Sequence, residues 1–153
     1  MKIRKIRKDE IKQACRLVLE VFDEFVAPDY CVEGIKEFRQ YINPELIEQR
    51  LKINCIIYIA EIDNLIVGVL ELRDFNHISL LFVKKENHNQ GVAKALVGKA
   101  VTISLKNKAE KLEVNSSPFA VNIYKRLGFI EIDWEKTVNG IRFTAMEKKT
   151  TLF

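Results

Sequence analysis

The middle of the chain alternates apolar runs with short polar breaks. The runs cover residues 54–62, 65–74 and 78–83, and the breaks are Asp63-Asn64 and Phe75-Asn76. Isoleucine, valine and leucine dominate each run, which is typical of β-strands. Because the connections are so short, the three strands are expected to form an antiparallel meander. The third run is apolar at nearly every position, which predicts burial on both of its faces.

Four other regions show helical spacing of their apolar residues. Over residues 11–25, 35–42 and 44–52 these residues recur three or four positions apart, which predicts three helices. Asp9 is expected to cap the first helix, and Asn43 with Pro44 to begin the third. A break is expected at residues 28–30. A longer helix with one apolar stripe is predicted from Gly91 to about residue 105.

The remaining runs complete a mixed sheet. Residues 1–7 predict an edge strand, and residues 111–115 predict a strand that follows the long helix and lies parallel to its neighbour. Ser117 and Pro118 are expected to begin another helix, and Gly128 to end it. Strands 129–134 and 141–146 are joined by a hairpin turn at Asn139-Gly140. The pattern predicts one α/β domain over residues 1–153, with a mixed sheet of about seven strands and about four helices.

Composition narrows the class of protein. The chain has 153 residues, of which 48% are hydrophobic and 30% charged, as in globular domains with a real core. Apolar runs stay well short of the roughly 20 residues of a membrane span, and no signal peptide is recognisable, so no membrane association is expected. Three scattered cysteines fit reduced thiols and predict a cytoplasmic protein. A formal charge of +4 suits an anionic ligand but is too evenly spread to indicate nucleic acid.

A polar loop, residues 84–90, separates the third strand of the meander from the long helix. The first turn of such a helix has unpaired backbone N–H groups and the positive end of the helix dipole, which together favour an anion. Gly91 and Ala93 keep bulky side chains away from this position. The glycines lack the spacing of a P-loop and of a dinucleotide fingerprint. The loop therefore predicts a phosphate site of another kind, or an ordinary strand–turn–helix connection.

Two motifs resemble those of the GNAT superfamily of acetyl-CoA-dependent N-acetyltransferases. Residues 88–93, HNQGVA, are similar to the signature Arg/Gln-x-x-Gly-x-Gly/Ala; Gly91 and Ala93 fit it, and His88 departs from it. Residues 115–129, NSSPFAVNIYKRLGF, are similar to the second motif of that superfamily. The matching residues there are Asn115, Ala120, Tyr124, Gly128 and Phe129. The resemblance covers residues 54–146 well and the first 50 residues loosely.

The resemblance implies a GNAT-like fold and transfer of the acetyl group of acetyl-CoA to a primary amine. It implies that Tyr124 is the general acid that protonates the leaving thiolate, and that backbone N–H groups near Val83 bind the pantetheine arm or polarise the acetyl carbonyl. We expect Gly91 to open its helix against a V-shaped gap between strands 78–83 and 111–115. The expected cofactor-binding residues are Leu81, Phe82, Val83, His88, Asn89, Gln90, Gly91, Val92, Ala93, Lys94, Asn115, Asn122 and Tyr124.

Other candidate site residues are indicated by their neighbours in the sequence. Glu71 interrupts an apolar strand, so it either faces a cleft as the general base or points outward on a half-exposed strand. Phe25, Asp29, Tyr30 and His77 are candidates for binding the acceptor, and packing and turn formation are their alternative roles. The two histidines are eleven positions apart and lack nearby cysteines in a set pattern, so no metal site is expected. No histidine is placed to activate a cysteine nucleophile.

Two functions remain open at the level of sequence. The first is an N-acetyltransferase that acts on a small molecule or a protein N-terminus, as a monomer or a homodimer. The alternative is a non-catalytic acyl-CoA-binding sensor on the same fold, since a fold does not fix a function. Tyr124 favours the enzyme, because a degenerate domain would often lack the acid. Nucleic-acid binding is disfavoured, because the basic residues are interspersed with acidic ones.

Overall fold

A mixed sheet of eight strands forms the centre of the computed structural model, which describes residues 1–151. Neighbouring strands follow the order β1-β2-β3-β4-β5-β8-β6, and β7 also pairs with β8. All pairs are antiparallel except β4 with β5, as the crossover through the long helix predicts. The strands are β1 (Lys2–Lys5), β2 (Cys55–Ile62), β3 (Leu65–Arg73), β4 (His77–Val83), β5 (Lys111–Ser116), β6 (Ile130–Glu131), β7 (Lys136–Val138) and β8 (Ile141–Lys149).

Five α-helices cover the two faces of this sheet. They are α1 (Ile11–Val21), α2 (Val32–Tyr41), α3 (Pro44–Ile53), α4 (Val92–Lys106) and α5 (Val121–Arg126). Helices α1, α2 and α3 pack in one apolar cluster with residues of β2, β3 and β4, while α4 and α5 pack in a second cluster with the alternate residues. In β3, for example, Val69 belongs to the first cluster and Leu70 to the second. Burial on both faces explains why the central strands are apolar throughout.

Some local predictions are wrong. Asp9 does not cap α1, because it lies in a short 3₁₀ turn, and the helix begins only at Ile11. The Glu10 carboxylate accepts the backbone N–H of Arg7 at 2.9 Å instead. The strand predicted at 129–134 is limited to two residues, because a turn in which Asp133 accepts the N–H of Trp134 interrupts it. Beyond that turn the indole is 87% exposed, so no core contact extends the strand.

The first helix changes geometry before it ends. Residues Phe22–Val26 form a π-helical turn, and Ala27–Asp29 follow as a 3₁₀ turn. This agrees with the predicted end near Pro28, but regular α-helical spacing would not reveal the wider turn. π-helical turns inside helices occur often at functional sites. Here the turn directs Phe22, Phe25 and Val26 toward the middle of the sheet.

Strands β4 and β5 separate soon after they meet. Their only paired positions in the described chain are His77 with Glu113 and Ile78 with Val114. A β-bulge follows in β4. Leu72 pairs with Ile78 and Glu71 pairs with Leu80, so Ser79 is the extra residue that has no paired position on β3. The rest of β4 therefore diverges from β5. This is the V-shaped gap that was expected between the two strands.

Candidate active site

A cavity of about 600 Å³ fills the gap between β4 and β5. Its lining includes residues of α4 and α5 from one face of the sheet, and residues of the π-helical turn and α2 from the other. The cavity therefore passes through the sheet. Ligand sites of small molecules in proteins typically enclose a few hundred to about a thousand Å³. A single cavity of this form can receive two reactants from opposite faces.

One end of the cavity lies at the start of α4. Gly91 adopts a left-handed conformation with φ of 79°, and a Cβ atom placed there would meet no atom within 4 Å. The first carbonyl of the helix is bonded by Ala95, so the N–H groups of Val92, Ala93 and Lys94 have no partner within the helix. Open space in front of free N–H groups is the geometry that an anion requires. Among the lining residues, Lys94 and Arg126 carry the charges, and both are positive.

His88 connects the loop before α4 to the end of β4. Its Nε2 atom lies 2.8 Å from the carbonyl oxygen of Val83, so Nε2 carries the proton that is donated. The N–H of Lys84 donates to Val67 on β3. Because N–H groups alternate along a strand, those of Val83 and Leu81 face the gap instead. These two donors lie in the wall of the cavity and can bind a carbonyl group there.

Tyr124 reaches the cavity from α5. Its side chain is 5% exposed and packs edge-on against Phe129, with ring centroids 5.2 Å apart. Burial raises the pKa of the phenol well above its ordinary value near 10. The group therefore keeps its proton throughout the physiological pH range. A neutral phenol has a proton to donate and cannot act as a base, although the raised pKa makes it a weaker acid than a solvated phenol.

Aromatic rings line the cavity on the α1–α2 side. Phe22 stacks on Phe38 with centroids 4.0 Å apart, and Tyr30 meets Phe22 edge-on at 5.7 Å. Phe25 lies 5.0 Å from Phe119 and 5.1 Å from the His88 ring, which brings the two faces of the sheet into contact. The Tyr30 hydroxyl donates to the carbonyl of Arg142 at 3.2 Å, and burial raises its pKa to about 12. Its proton is thus held in place by the protein.

Glu71 does not line the cavity. Its side chain is 0% exposed, and its carboxylate binds Nε of Arg50 at 2.8 Å. The hydroxyls of Tyr41 and Ser79 also donate to it, at 3.1 Å and 3.0 Å. A carboxylate that is fully buried and bound by three groups has no lone pair directed at a substrate. This geometry gives no support to Glu71 as a base and fits the anchoring of α2 and α3 to the sheet.

The structure brings most of the expected site residues together in the cavity. They are Phe25, Tyr30, Leu81, Phe82, Val83, His88, Asn89, Gly91, Ala93, Lys94, Asn115, Asn122 and Tyr124. Besides Glu71, four others lie outside it. Val92 is buried in the core and Gln90 donates to the carbonyl of Glu86, while Asp29 is exposed and His77 lies where β4 is still paired with β5.

Sequence reasoning missed several residues that line the cavity, among them Phe22, Phe38, Ser79, Phe119 and Arg126. Phe22 and Phe38 follow helical spacing and could not be told from ordinary core residues. Ser79 did carry a signal, because it is a polar residue inside the apolar run ISLLFV. A polar residue in a strand that is buried on both faces needs a hydrogen-bond partner, and here Glu71 provides it.

Residues 1–151 contain neither a membrane-spanning helix nor a cluster of metal-binding side chains. No helix there is long and apolar enough to cross a lipid bilayer. Nor do three or more histidine, cysteine, aspartate or glutamate side chains in that range come together in an arrangement that could hold a metal ion.

Solved structures with the same fold are numerous. A GCN5-related N-acetyltransferase from Rhodopseudomonas palustris superposes with a TM-score of 0.84 at 19% identity, over 97% of this chain and 94% of that one. The PaiA N-acetyltransferase from Thermoplasma acidophilum, solved with coenzyme A, gives 0.80 at 20% identity, over 97% and 98%. A spermidine N-acetyltransferase chimera from Vibrio cholerae and hSSAT gives 0.68 at 18% identity, over 97% and 95%. At such identities these likenesses concern the fold.

Comparison of the sequence with known proteins and with family models gave two results. No curated protein matches the chain. The family model described as "Acetyltransferase (GNAT) domain" matches residues 26–150, which include the whole cavity apart from Val21, Phe22 and Phe25. That match shows that the chain belongs to the GNAT acetyltransferase family and is an acyltransferase.

Proposed function

We propose that this protein transfers the acetyl group of acetyl-CoA to the primary amine of an acceptor, with Tyr124 as the general acid. One observation carries the proposal: the Tyr124 phenol lines a cavity that joins an anion-binding helix start to an aromatic pocket across the sheet. The likeness to structures solved with coenzyme A supports the choice of cosubstrate. The opposite end of the cavity is then left for the amine.

The residues of the cavity fit the parts of acetyl-CoA. The free N–H groups that start α4, together with Lys94 and Arg126, suit the negative pyrophosphate. The N–H groups of Leu81 and Val83 face the gap and suit the carbonyls of the pantetheine arm. Asn115 and Asn122 offer side-chain amides along the same wall. His88 binds the Val83 carbonyl and thereby fixes the position of the end of β4.

When bound, acetyl-CoA supplies a thioester carbonyl that an amine can attack. In the transfer, a carbon–nitrogen bond forms, the carbon–sulfur bond breaks and the sulfur takes the phenolic proton of Tyr124. Burial raises the pKa of Tyr124, and the same apolar surroundings disfavour a thiolate, so proton transfer between them does not require an acidic phenol. The proton that the amine releases then restores the phenol through solvent.

The amine itself must arrive without its extra proton. No aspartate or glutamate is among the residues that line the cavity in the described part of the chain. An apolar wall disfavours the charged ammonium and lowers the pKa of a bound amine. We therefore assign loss of this proton to desolvation on entry, with water as the acceptor, and no step is assigned to Glu71.

Two measurements on the full chain test the proposal. Isothermal titration calorimetry should show binding of acetyl-CoA, and a thiol-reactive dye should report release of free CoA when an amine is added. Binding together with amine-dependent release supports an acetyltransferase. Binding without release for any amine in a broad screen favours the acyl-CoA sensor, and absence of binding contradicts both.

A further inference from the structure

The chemistry of the acceptor is visible in one part of the cavity. We call Phe22, Phe25, Val26, Tyr30 and Phe38 the acceptor wall, because they line the cavity on the α1–α2 side of the sheet. Four of these five side chains are aromatic, and they contact one another within 6 Å or stack on rings from other elements. The one hydroxyl in the wall, that of Tyr30, already donates to a backbone carbonyl.

Negative charge is missing from this wall. The charged residues that line the cavity within residues 1–151 are Lys94 and Arg126, and both are basic. Two carboxylates that neighbour the wall in sequence are bound elsewhere: Asp23 pairs with Arg39 at 2.6 Å, and Glu24 pairs with Lys85 at 2.8 Å. Asp29 and Glu37, next to Tyr30 and Phe38, are exposed and do not line the cavity. An acceptor with several ammonium groups would therefore lose hydration in this cavity without gaining an ion pair.

We infer that the acceptor is a small monoamine with an apolar body, aromatic or aliphatic, and is neither a polyamine nor an aminoglycoside. This inference rests on the proposed function. The wall gives such an amine apolar contact area and stacking partners. A single ammonium can shed its proton on entry, whereas a second one has no carboxylate to bind and must stay hydrated or be neutralised.

The test compares two amines that differ in one group. Hexylamine and hexamethylenediamine have the same chain length, and only the second has an ammonium at its far end. For the unmodified protein we expect kcat/KM for hexylamine to exceed that for the diamine by at least about 100-fold. Phenethylamine should also be a substrate, and spermidine should be as poor as the diamine.

A pair of variants tests whether the preference for monoamines arises at the acceptor wall. Phe25→Glu introduces a carboxylate, and Phe25→Gln has nearly the same shape without the charge. We expect the ratio of diamine to monoamine activity to rise at least about tenfold in Phe25→Glu relative to Phe25→Gln. Since only the ratio within each protein is compared, partial loss of stability in both variants does not affect the result.

The outcomes separate the inference from the proposed function. If acetyl-CoA binds and the diamine or spermidine reacts as well as hexylamine, the inference is overturned and the proposed function stands. If acetyl-CoA binds but none of the monoamines is acetylated, the inference is overturned as well. If acetyl-CoA does not bind to the unmodified protein, the proposed function fails and the inference fails with it.

Discussion

The imidazole of His88 holds the end of β4, with Nε2 2.8 Å from the carbonyl oxygen of Val83. His88 is the position at which the chain departs from the family signature. In this protein the side chain acts on the backbone: it fixes the loop before α4 to the strand that borders the gap. The departure from arginine or glutamine thus has a local structural role.

Removal of this contact should weaken the binding of acetyl-CoA. For His88→Ala we expect an increase in Kd of about fivefold, which corresponds to the roughly 1 kcal/mol of one hydrogen bond. Isothermal titration calorimetry measures the Kd of acetyl-CoA for both proteins. Gln90→Ala is the control, because that side chain bonds the Glu86 carbonyl in the same loop but lies outside the cavity. Equal losses in the two variants would contradict a specific role for His88.

The start of α4 offers a test of the phosphate site. Gly91→Glu should abolish acetyl-CoA binding, because a carboxylate there would occupy the position of the phosphate and repel it. Gly91→Gln is the matched control, since both substitutions impose the same strain at φ of 79°. Calorimetry should show much weaker binding for the glutamate variant than for the glutamine variant. Unchanged affinity in a folded Gly91→Glu protein would mean that the phosphates bind elsewhere.

Tyr124→Phe separates a catalytic role from a packing role. The change keeps the ring and its contact with Phe129 but removes the proton donor. Turnover should fall by roughly 10²–10⁴-fold, as is typical for the loss of a positioned acid, while acetyl-CoA affinity and Tm change little. Tyr58→Phe is the control, because Tyr58 is also buried but does not line the cavity. Near-normal turnover of Tyr124→Phe, with chemistry rate-limiting, would show that another donor protonates the thiolate.

The buried pair of Arg50 and Glu71 should be important for stability. In Arg50→Met the fully buried carboxylate loses its cation, which typically costs about 3–5 kcal/mol of the free energy of unfolding. Urea denaturation monitored by circular dichroism measures this cost. Arg39→Met is the control, because its ion pair with Asp23 is about half exposed and should contribute no more than about 1 kcal/mol. A small effect of Arg50→Met would show that Glu71 becomes protonated at little cost.

His77 should make the protein less stable in mild acid. Burial, together with the nearby Arg73 guanidinium, lowers the pKa of its imidazole from 6.5 to about 4. Between these pH values the unfolded chain binds a proton that the folded protein does not, so stability falls as pH falls through this range. We expect the difference in free energy of unfolding between about pH 7 and about pH 4.5 to be smaller in His77→Gln than in the unmodified protein.

Comparing the pH dependence of the two proteins separates the contribution of His77 from that of the carboxylates. Glu10, for example, has its pKa lowered to about 2 by Arg4, and it contributes equally in both proteins. Urea titrations at the two pH values give the four free energies that the comparison needs. An identical pH difference in His77→Gln and in the unmodified protein would show that the imidazole titrates normally in the folded state.

The sequence by itself determined the order of most of the elements and placed the candidate site residues on them. Apolar spacing predicted the meander of β2, β3 and β4 and the helix that begins after Gly91, because these patterns are local and each is set by burial of one or two faces. The motif around Tyr124 is local as well. It places this residue on a short helix, which ends before Gly128, where φ is 96°.

The resemblance to the family implied a gap between the two strands, and only the tertiary structure decided at which residue it opens and which partner each charged side chain binds. The separation of β4 and β5 beyond Ile78 depends on a bulge at Ser79 and on pairing between distant segments, and no local pattern encodes it. Glu71 was ambiguous for the same reason. Its partner Arg50 lies on α3, which all of β2 separates from β3 in the sequence, and only packing of α3 against the sheet brings the two side chains together as a buried ion pair. Pairing across long sequence separations is a property of the folded chain, so the sequence could name these residues but not their roles.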